Sequence, residues 1–246
     1  MKIYDRIKGL CAAKNLGTSR HNGKERVTAR VSWICSLLDE LSLEWSMDRI
    51  VWGDNYLYNI ILHSEVKEGV KVISAHHDIV LANSDNANDN SASVICAIAL
   101  KLQRPETMVV LLDGEEVGGV GSTSFADELT SGRFGQVSWV LNLELSGRGG
   151  KEFLLGEQGS NGPLGRRIQE TLRPDIITVP FNDSVRFREA GLDSCCVNPL
   201  PRLSSGELDR SGWFVCHTME DSLEEISVED MEEWVEEVLV KIVDLC

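Results

Sequence analysis

One stretch near the middle of the chain constrains the fold most strongly: an apolar run that ends in two glutamates. Met108–Leu112 has the length and composition of a short buried β-strand. The pattern breaks at Gly114, and Glu115 and Glu116 follow side by side. Adjacent like charges at a sheet edge repel each other unless one takes up a proton or a cation lies between them. The stretch predicts either a solvated acidic turn or a cation site at the end of a buried strand.

Strand and helix patterns alternate along the rest of the chain. Further strands are predicted at residues 57–62, 70–75, 137–145, 153–155 and 195–198, and helices at residues 25–43, 91–102, 123–129, 164–172 and 228–245. This alternation predicts an α/β fold: a three-layer α/β/α sandwich around a mostly parallel mixed sheet. Because no internal repeat or linker is found, residues 1–246 are predicted to form a single catalytic domain without a lid domain.

Charge and composition argue against several classes of function. The formal net charge is −15, so no basic patch is available for phosphates and no nucleic-acid partner is expected. No apolar run approaches the roughly 18 residues that cross a bilayer, and we expect no membrane partner. Charged residues at the N-terminus argue against a secretory signal. The 7 cysteines form no CxxC pair, which is typical of reduced thiols, so we expect a cytoplasmic protein.

Polar side chains follow several of the predicted strands. His76 and Asp78 end one strand, Asp89 lies in the loop after it, Glu144 ends another, and His217 follows residues 213–216. Each histidine alone has an ordinary structural explanation, and an aspartate in a polar loop is often only a turn former. Glu144, however, would be a costly buried charge without a partner. Ligands collect at the carboxyl ends of such strands, and carboxylates with imidazoles suit a divalent metal such as zinc.

Five segments, taken in order, resemble a known family. They are residues 75–78, 87–93, 113–118, 142–144 and 217–221. Together they resemble the co-catalytic di-zinc aminopeptidases, a group that includes bacterial leucyl aminopeptidases and vacuolar aminopeptidase Y. The glutaminyl cyclases belong to the same clan. The resemblance implies a zinc-dependent aminopeptidase that acts on short peptides with a free N-terminus.

The resemblance also implies a set of metal ligands. Asp89 would bridge two zinc ions. His76 and Glu144 would complete the ligands of one ion, and Glu116 and His217 those of the other. The family commonly has aspartate where this chain has Glu144, and the longer side chain reaches one methylene further.

Two more residues receive a role from the resemblance. Asp78 would orient the His76 imidazole. Glu115 would be the general base, which takes a proton from a water shared by the two metals and passes it to the leaving amine. Some relatives place an oxyanion-stabilising tyrosine where this chain has Phe181, and a histidine where it has Ser184, so the resemblance does not extend to these two side chains.

Three other functions stay open. A glutaminyl cyclase suits residues 217–221 equally well, although residues 88–90 look more like those of the hydrolases. A deacylase or carboxypeptidase of a related family usually carries an extra dimerisation domain, which we do not expect in the 246 residues of this chain. A non-catalytic metal-binding homologue would have lost ligands, yet every ligand position is filled. Oligomeric state and side-chain preference are not predicted.

Overall fold

The computed structural model describes residues 3–14, 27–81 and 83–245, and its centre is a mixed sheet of eight strands. The strands are β1 (Trp45–Trp52), β2 (Asn55–Leu62), β3 (Glu68–His76), β4 (Met108–Leu112), β5 (Gln136–Leu143), β6 (Phe153–Gly156), β7 (Asp175–Ile177) and β8 (Ser194–Pro199). Their spatial order is β1-β2-β4-β3-β5-β8-β6-β7. The four central strands, β4, β3, β5 and β8, are parallel. β1 pairs antiparallel with β2, β2 with β4, and β6 with β8, whereas β7 runs parallel to β6.

Helices connect the strands and cover the sheet. They are α1 (Ile7–Ala12), α2 (Ala29–Glu40), α3 (Ala92–Gln103), α4 (Val120–Thr130), α5 (Glu157–Ser160), α6 (Pro163–Leu172), α7 (Ser184–Glu189), α8 (Ser211–Val215), α9 (Val228–Glu233) and α10 (Val240–Asp244). A π-helical stretch, Trp234–Leu239, joins α9 to α10, and 3-10 turns lie at Ile3–Arg6 and Leu223–Glu225. No helix in the described ranges is long and apolar enough to cross a membrane.

Two hydrophobic clusters lie on opposite faces of the sheet. Side chains alternate between faces along a strand, so Ile73 of β3 joins the first cluster and Val72 the second. The first cluster packs the sheet against α2, α3 and the C-terminal helix, with Trp234 as a large buried side chain. The second packs it against α4 and α7 through Phe125 and Phe187. The predicted α/β class with a mixed sheet between helical layers is confirmed.

Some predicted elements differ from those observed. The edge strands β1 and β7 were not predicted, because their side chains are mostly half-buried and show no clean apolar alternation. Helix α2 is shorter than residues 25–43, of which the first two lie outside the described residues. Residues 213–216 are not strand: α8 ends at Val215. His217 therefore follows a short helix, in a segment to which the sequence analysis assigned no element type.

Candidate metal centre

Parallel strands bring the predicted ligands to one edge of the sheet. His76 is the last residue of β3, and Glu144 follows the end of β5. These strands are neighbours in parallel register, with Ser74 opposite Asn142. The loop after β4 supplies Glu115 and Glu116, since Leu112 lies opposite His76. Asp89, from the irregular turn Ala87–Ser91 before α3, and His217, after α8, complete the cluster.

The carboxylate of Asp89 faces two separate sets of side chains. Its Oδ1 lies 3.2 Å from His76 Nε2, which in turn is 3.5 Å from Glu144 Oε2. Its Oδ2 lies 3.2 Å from His217 Nε2, which is 3.1 Å from Glu116 Oε2. Within each set, the potential ligand atoms lie within 4.8 Å of one another. The five residues predicted as metal ligands are thus brought together as two triads that share Asp89.

The two triads differ in exposure. The His76 side chain is 2% exposed, whereas that of His217 is 55% exposed. His217 also adopts a left-handed backbone conformation, with φ of 60°. Such conformations are uncommon for residues other than glycine and cluster at functional sites. The triad with His76 is therefore closed by the sheet, and the triad with His217 opens to solvent.

Asp78 contacts both His76 and the loop that carries Glu115 and Glu116. Its Oδ1 is 3.4 Å from His76 Nδ1, which is long for a hydrogen bond. Its two oxygens also accept the backbone N–H groups of Glu115, at 3.2 Å, and Glu116, at 3.1 Å. Asp78 thus joins the end of β3 to the loop that carries both glutamates, a contact that the sequence did not predict.

Asp221 holds the turn that carries Asp89. Its Oδ1 accepts the N–H of Asn88 at 2.7 Å, and its Oδ2 accepts the N–H of Asp89 at 3.0 Å. The sequence analysis placed Asp221 within a matching segment but gave it no role. It lies four positions after His217, so one short segment carries a candidate ligand and fixes the backbone of another.

The electrostatics of the cluster favour a bound cation. Burial raises the pKa of Glu115 to about 9 and that of Glu116 to about 7, and neighbouring carboxylates add to both shifts. The pKa of His217 is raised to about 9, chiefly by its hydrogen bond to Asp89. Burial opposes protonation of His76, but Glu144 and its other acidic neighbours raise its pKa well above the usual value. Such a site attracts positive charge, and its carboxylate and imidazole donors fit zinc.

A cavity of about 180 Å³ opens beside the two triads. His76, Asp89, Glu115, Glu144 and His217 line it on one side. Its other walls are largely apolar and include Leu145, Val179, Pro180, Phe181 and Trp213. Phe181 carries no hydroxyl, and the Arg186 guanidinium lies over its ring at 5.1 Å. The space suits one side chain of a substrate rather than a long segment.

Asp183, in the segment before α7, is a buried acid that the proposed ligand sets do not use. The residue is fully buried, and neither carboxylate oxygen has a partner of good geometry among the described groups. Burial raises its pKa to about 7, although Ser122 lies near enough to favour the charged form. The folded state therefore holds the proton more tightly than the unfolded state does.

We expect Asp183→Asn to stabilise the metal-free protein at pH 8 and to stabilise it by about a third as much at pH 5. Because the folded pKa lies above the unfolded value, Asp183 costs stability progressively as pH rises from about 4 to about 7. The cost removed at pH 8 is up to about 4 kcal/mol. Denaturant unfolding at both pH values, with chelator present, measures it. A variant equally stable or less stable than wild type at pH 8 would contradict the expectation.

The fold and the acidic rim define the class of this protein: a metal-dependent hydrolase built on a zinc-exopeptidase fold. The chain belongs to peptidase family M28, which matches residues 59–241. The family predicted from the five sequence segments is thereby confirmed, and with it the predicted metallo-exopeptidase. Comparison with curated proteins gave no match.

Solved structures share the fold at low sequence identity. The LapA aminopeptidase of Legionella pneumophila is 13% identical, with a TM-score of 0.74 over 99% of this chain and 70% of LapA. BSAP, a zinc aminopeptidase from Bacillus subtilis, is 21% identical, with a TM-score of 0.63 over 78% of this chain and 50% of BSAP. A Bacteroides thetaiotaomicron glutaminyl cyclase is 15% identical, with a TM-score of 0.70 over 98% of this chain and 96% of the cyclase.

Proposed function

We propose that this chain is an aminopeptidase that removes the N-terminal residue of short peptides with two zinc ions. One observation carries the proposal: the two oxygens of Asp89 face different triads, one with His76 and Glu144 and one with Glu116 and His217. A carboxylate shared in this way suits a pair of metals rather than one. Zinc bound there lowers the pKa of water and polarises a carbonyl group.

Glu115 is the proposed general base. It lines the cavity beside His76, yet it belongs to neither of the triads that share Asp89. Asp78 accepts a hydrogen bond from the backbone N–H of Glu115, and this bond fixes the backbone from which the Glu115 side chain extends. The carboxylate accepts a proton from the attacking water and then donates it to the leaving amine. Bound cations favour the ionised form of Glu115 that this step requires.

The charge of the site supports recognition of a free N-terminus. The carboxylates of Asp78, Asp89, Glu115, Glu116 and Glu144 carry one more negative charge than two divalent ions neutralise. An α-ammonium group is therefore attracted to the rim. The adjoining cavity has room for the side chain of that residue and has largely apolar walls, so we propose a preference for uncharged N-terminal residues.

Metal analysis combined with a substrate panel tests the proposal. We expect about two zinc ions per chain by elemental analysis. Aminoacyl fluorogenic substrates should be cleaved, and N-terminally acetylated substrates should not. Chelation should abolish cleavage, and added zinc should restore it, with cobalt and manganese compared in parallel.

The same panel separates the alternatives. A peptide with N-terminal glutamine should release free glutamine. Formation of a pyroglutamyl peptide instead would identify a cyclase, and cleavage of acylated or C-terminal residues would identify a deacylase or carboxypeptidase. Tight zinc binding without turnover of any substrate would leave a metal-binding homologue.

A further inference from the structure

The carboxylate of Glu144 is held on both sides by carboxamide groups. Asn142 Nδ2 donates to Glu144 Oε1 at 2.8 Å, and Asn90 Nδ2 donates to Glu144 Oε2 at 3.0 Å. Both asparagines are fully buried. Because each oxygen accepts a hydrogen bond, the carboxylate is not free to rotate, and it presents Oε2 toward His76.

Asn142 is itself fixed by the sheet. The Ser74 hydroxyl donates to Asn142 Oδ1 at 2.8 Å, and this bond also determines which end of the carboxamide faces Glu144. Ser74 and Asn142 lie opposite each other on the parallel strands β3 and β5. The chain of contacts from Ser74 through Asn142 to Glu144 is therefore built on two neighbouring central strands of the sheet.

The other triad has no equivalent support. Among the described residues, the polar contact to the Glu116 carboxylate comes from His217, its partner in the triad, and not from a separate amide. Asn90 differs from Asn142 because it also donates to the carbonyl of Leu143 and accepts the N–H of Leu145. Asn142 Nδ2 donates to Glu144 without a backbone partner among the described groups, while the rest of its side chain contacts Ser74 and the Cys196 thiol.

We propose that Asn142 is a positioning residue that sets zinc affinity at the His76–Asp89–Glu144 position and leaves the Asp89–Glu116–His217 position unaffected. The inference rests on the proposed two-zinc function. Partners that orient a metal ligand typically change metal affinity by about 10- to 100-fold when they are removed. A purely structural asparagine would instead change stability and leave the two zinc positions equally affected.

Zinc titration of single-position proteins tests the inference. His217→Ala retains only the proposed zinc position with Glu144, and His76→Ala retains only the proposed zinc position with Glu116. Asn142→Leu, which keeps the volume and removes the donor, is added to each. Competition with a chromophoric chelator measures the zinc dissociation constant. We expect it to rise about 10- to 100-fold in the His217→Ala protein and by less than about threefold in the His76→Ala protein.

A second variant covers a failure of Asn142→Leu to fold, which circular dichroism of the metal-free protein would reveal. Ser74→Ala leaves Asn142 in place but loosens it, and should act in the same direction with a smaller effect. Equal changes in both backgrounds, or none in the His217→Ala protein, would overturn the inference. Wild-type protein that binds fewer than two zinc ions would overturn the proposed function instead, so the two failures are distinguishable.

Discussion

The Glu115→Gln variant is expected to keep its zinc and to lose about 99.9% of its turnover. Glutamine has the same shape but cannot accept the proton of the attacking water. General-base catalysis contributes about 10²- to 10⁴-fold, so kcat should fall by about 10³-fold. Zinc content should change little, because Glu115 lies outside the two triads that share Asp89 and belongs only to a third candidate group with His76 and Glu116. Steady-state kinetics on an aminoacyl substrate, with elemental analysis of the same sample, measures both quantities.

Glu116→Gln is the matched control, since it makes the same change at the adjacent residue. Glu116 Oε2 lies 3.1 Å from His217 Nε2, within a triad, so this variant should lose zinc as well as activity. Zinc content therefore distinguishes the Glu115→Gln variant from the Glu116→Gln variant. Full turnover in Glu115→Gln would remove Glu115 from the mechanism, and loss of zinc there would make it a ligand.

The Asp89→Ala variant is expected to weaken both zinc positions at once. Loss of even an orienting partner of a ligand costs about 10- to 100-fold in metal affinity. Loss of a shared ligand should therefore cost at least about 100-fold at each position. We expect less than one zinc per chain after dialysis and no turnover above that of chelated wild type. Zinc analysis and activity assays at fixed free zinc measure the effect.

Asp85→Asn is the control for Asp89→Ala, because the sequence alone does not distinguish two aspartates in one polar loop. Asp85 Oδ1 lies 3.3 Å from Lys14 Nζ, and its Oδ2 accepts the N–H of Leu223 at 3.1 Å. It has no place in either triad, and its variant should retain zinc and activity. If Asp89→Ala retained two zinc ions, the shared role of Asp89 would be wrong.

The cluster of polar side chains at one edge of the sheet could be predicted because the pattern that marks the end of a strand is local in sequence. An apolar run that ends in a charged residue places that residue at the end of a strand, and this held for His76 after β3 and Glu144 after β5. The same pattern assigned no element to the segment before His217, because a five-residue helix and a short strand have similar composition.

The residues that support the site could not be predicted in this way. Asn142 reads as an ordinary polar residue in a strand, and its importance appears only when the register places Ser74 opposite it. Asp221 contacts the N–H of Asn88, which is 133 residues away in the chain. Neither contact leaves a pattern in hydrophobicity or spacing. The burial of Asp183 likewise could not be predicted, because it depends on the packing of α4 and α7 against the sheet.

The hydrogen bonds from Asp221 to the turn of Asp89 have a consequence for biosynthesis. The turn is translated early. The Asp221 carboxylate that accepts the N–H of Asp89 lies 132 residues further along the chain. A nascent chain therefore cannot fix the orientation of Asp89 until residue 221 has left the ribosome. Under the proposed two-zinc function, the complete site therefore forms only after almost all of the described chain has been released.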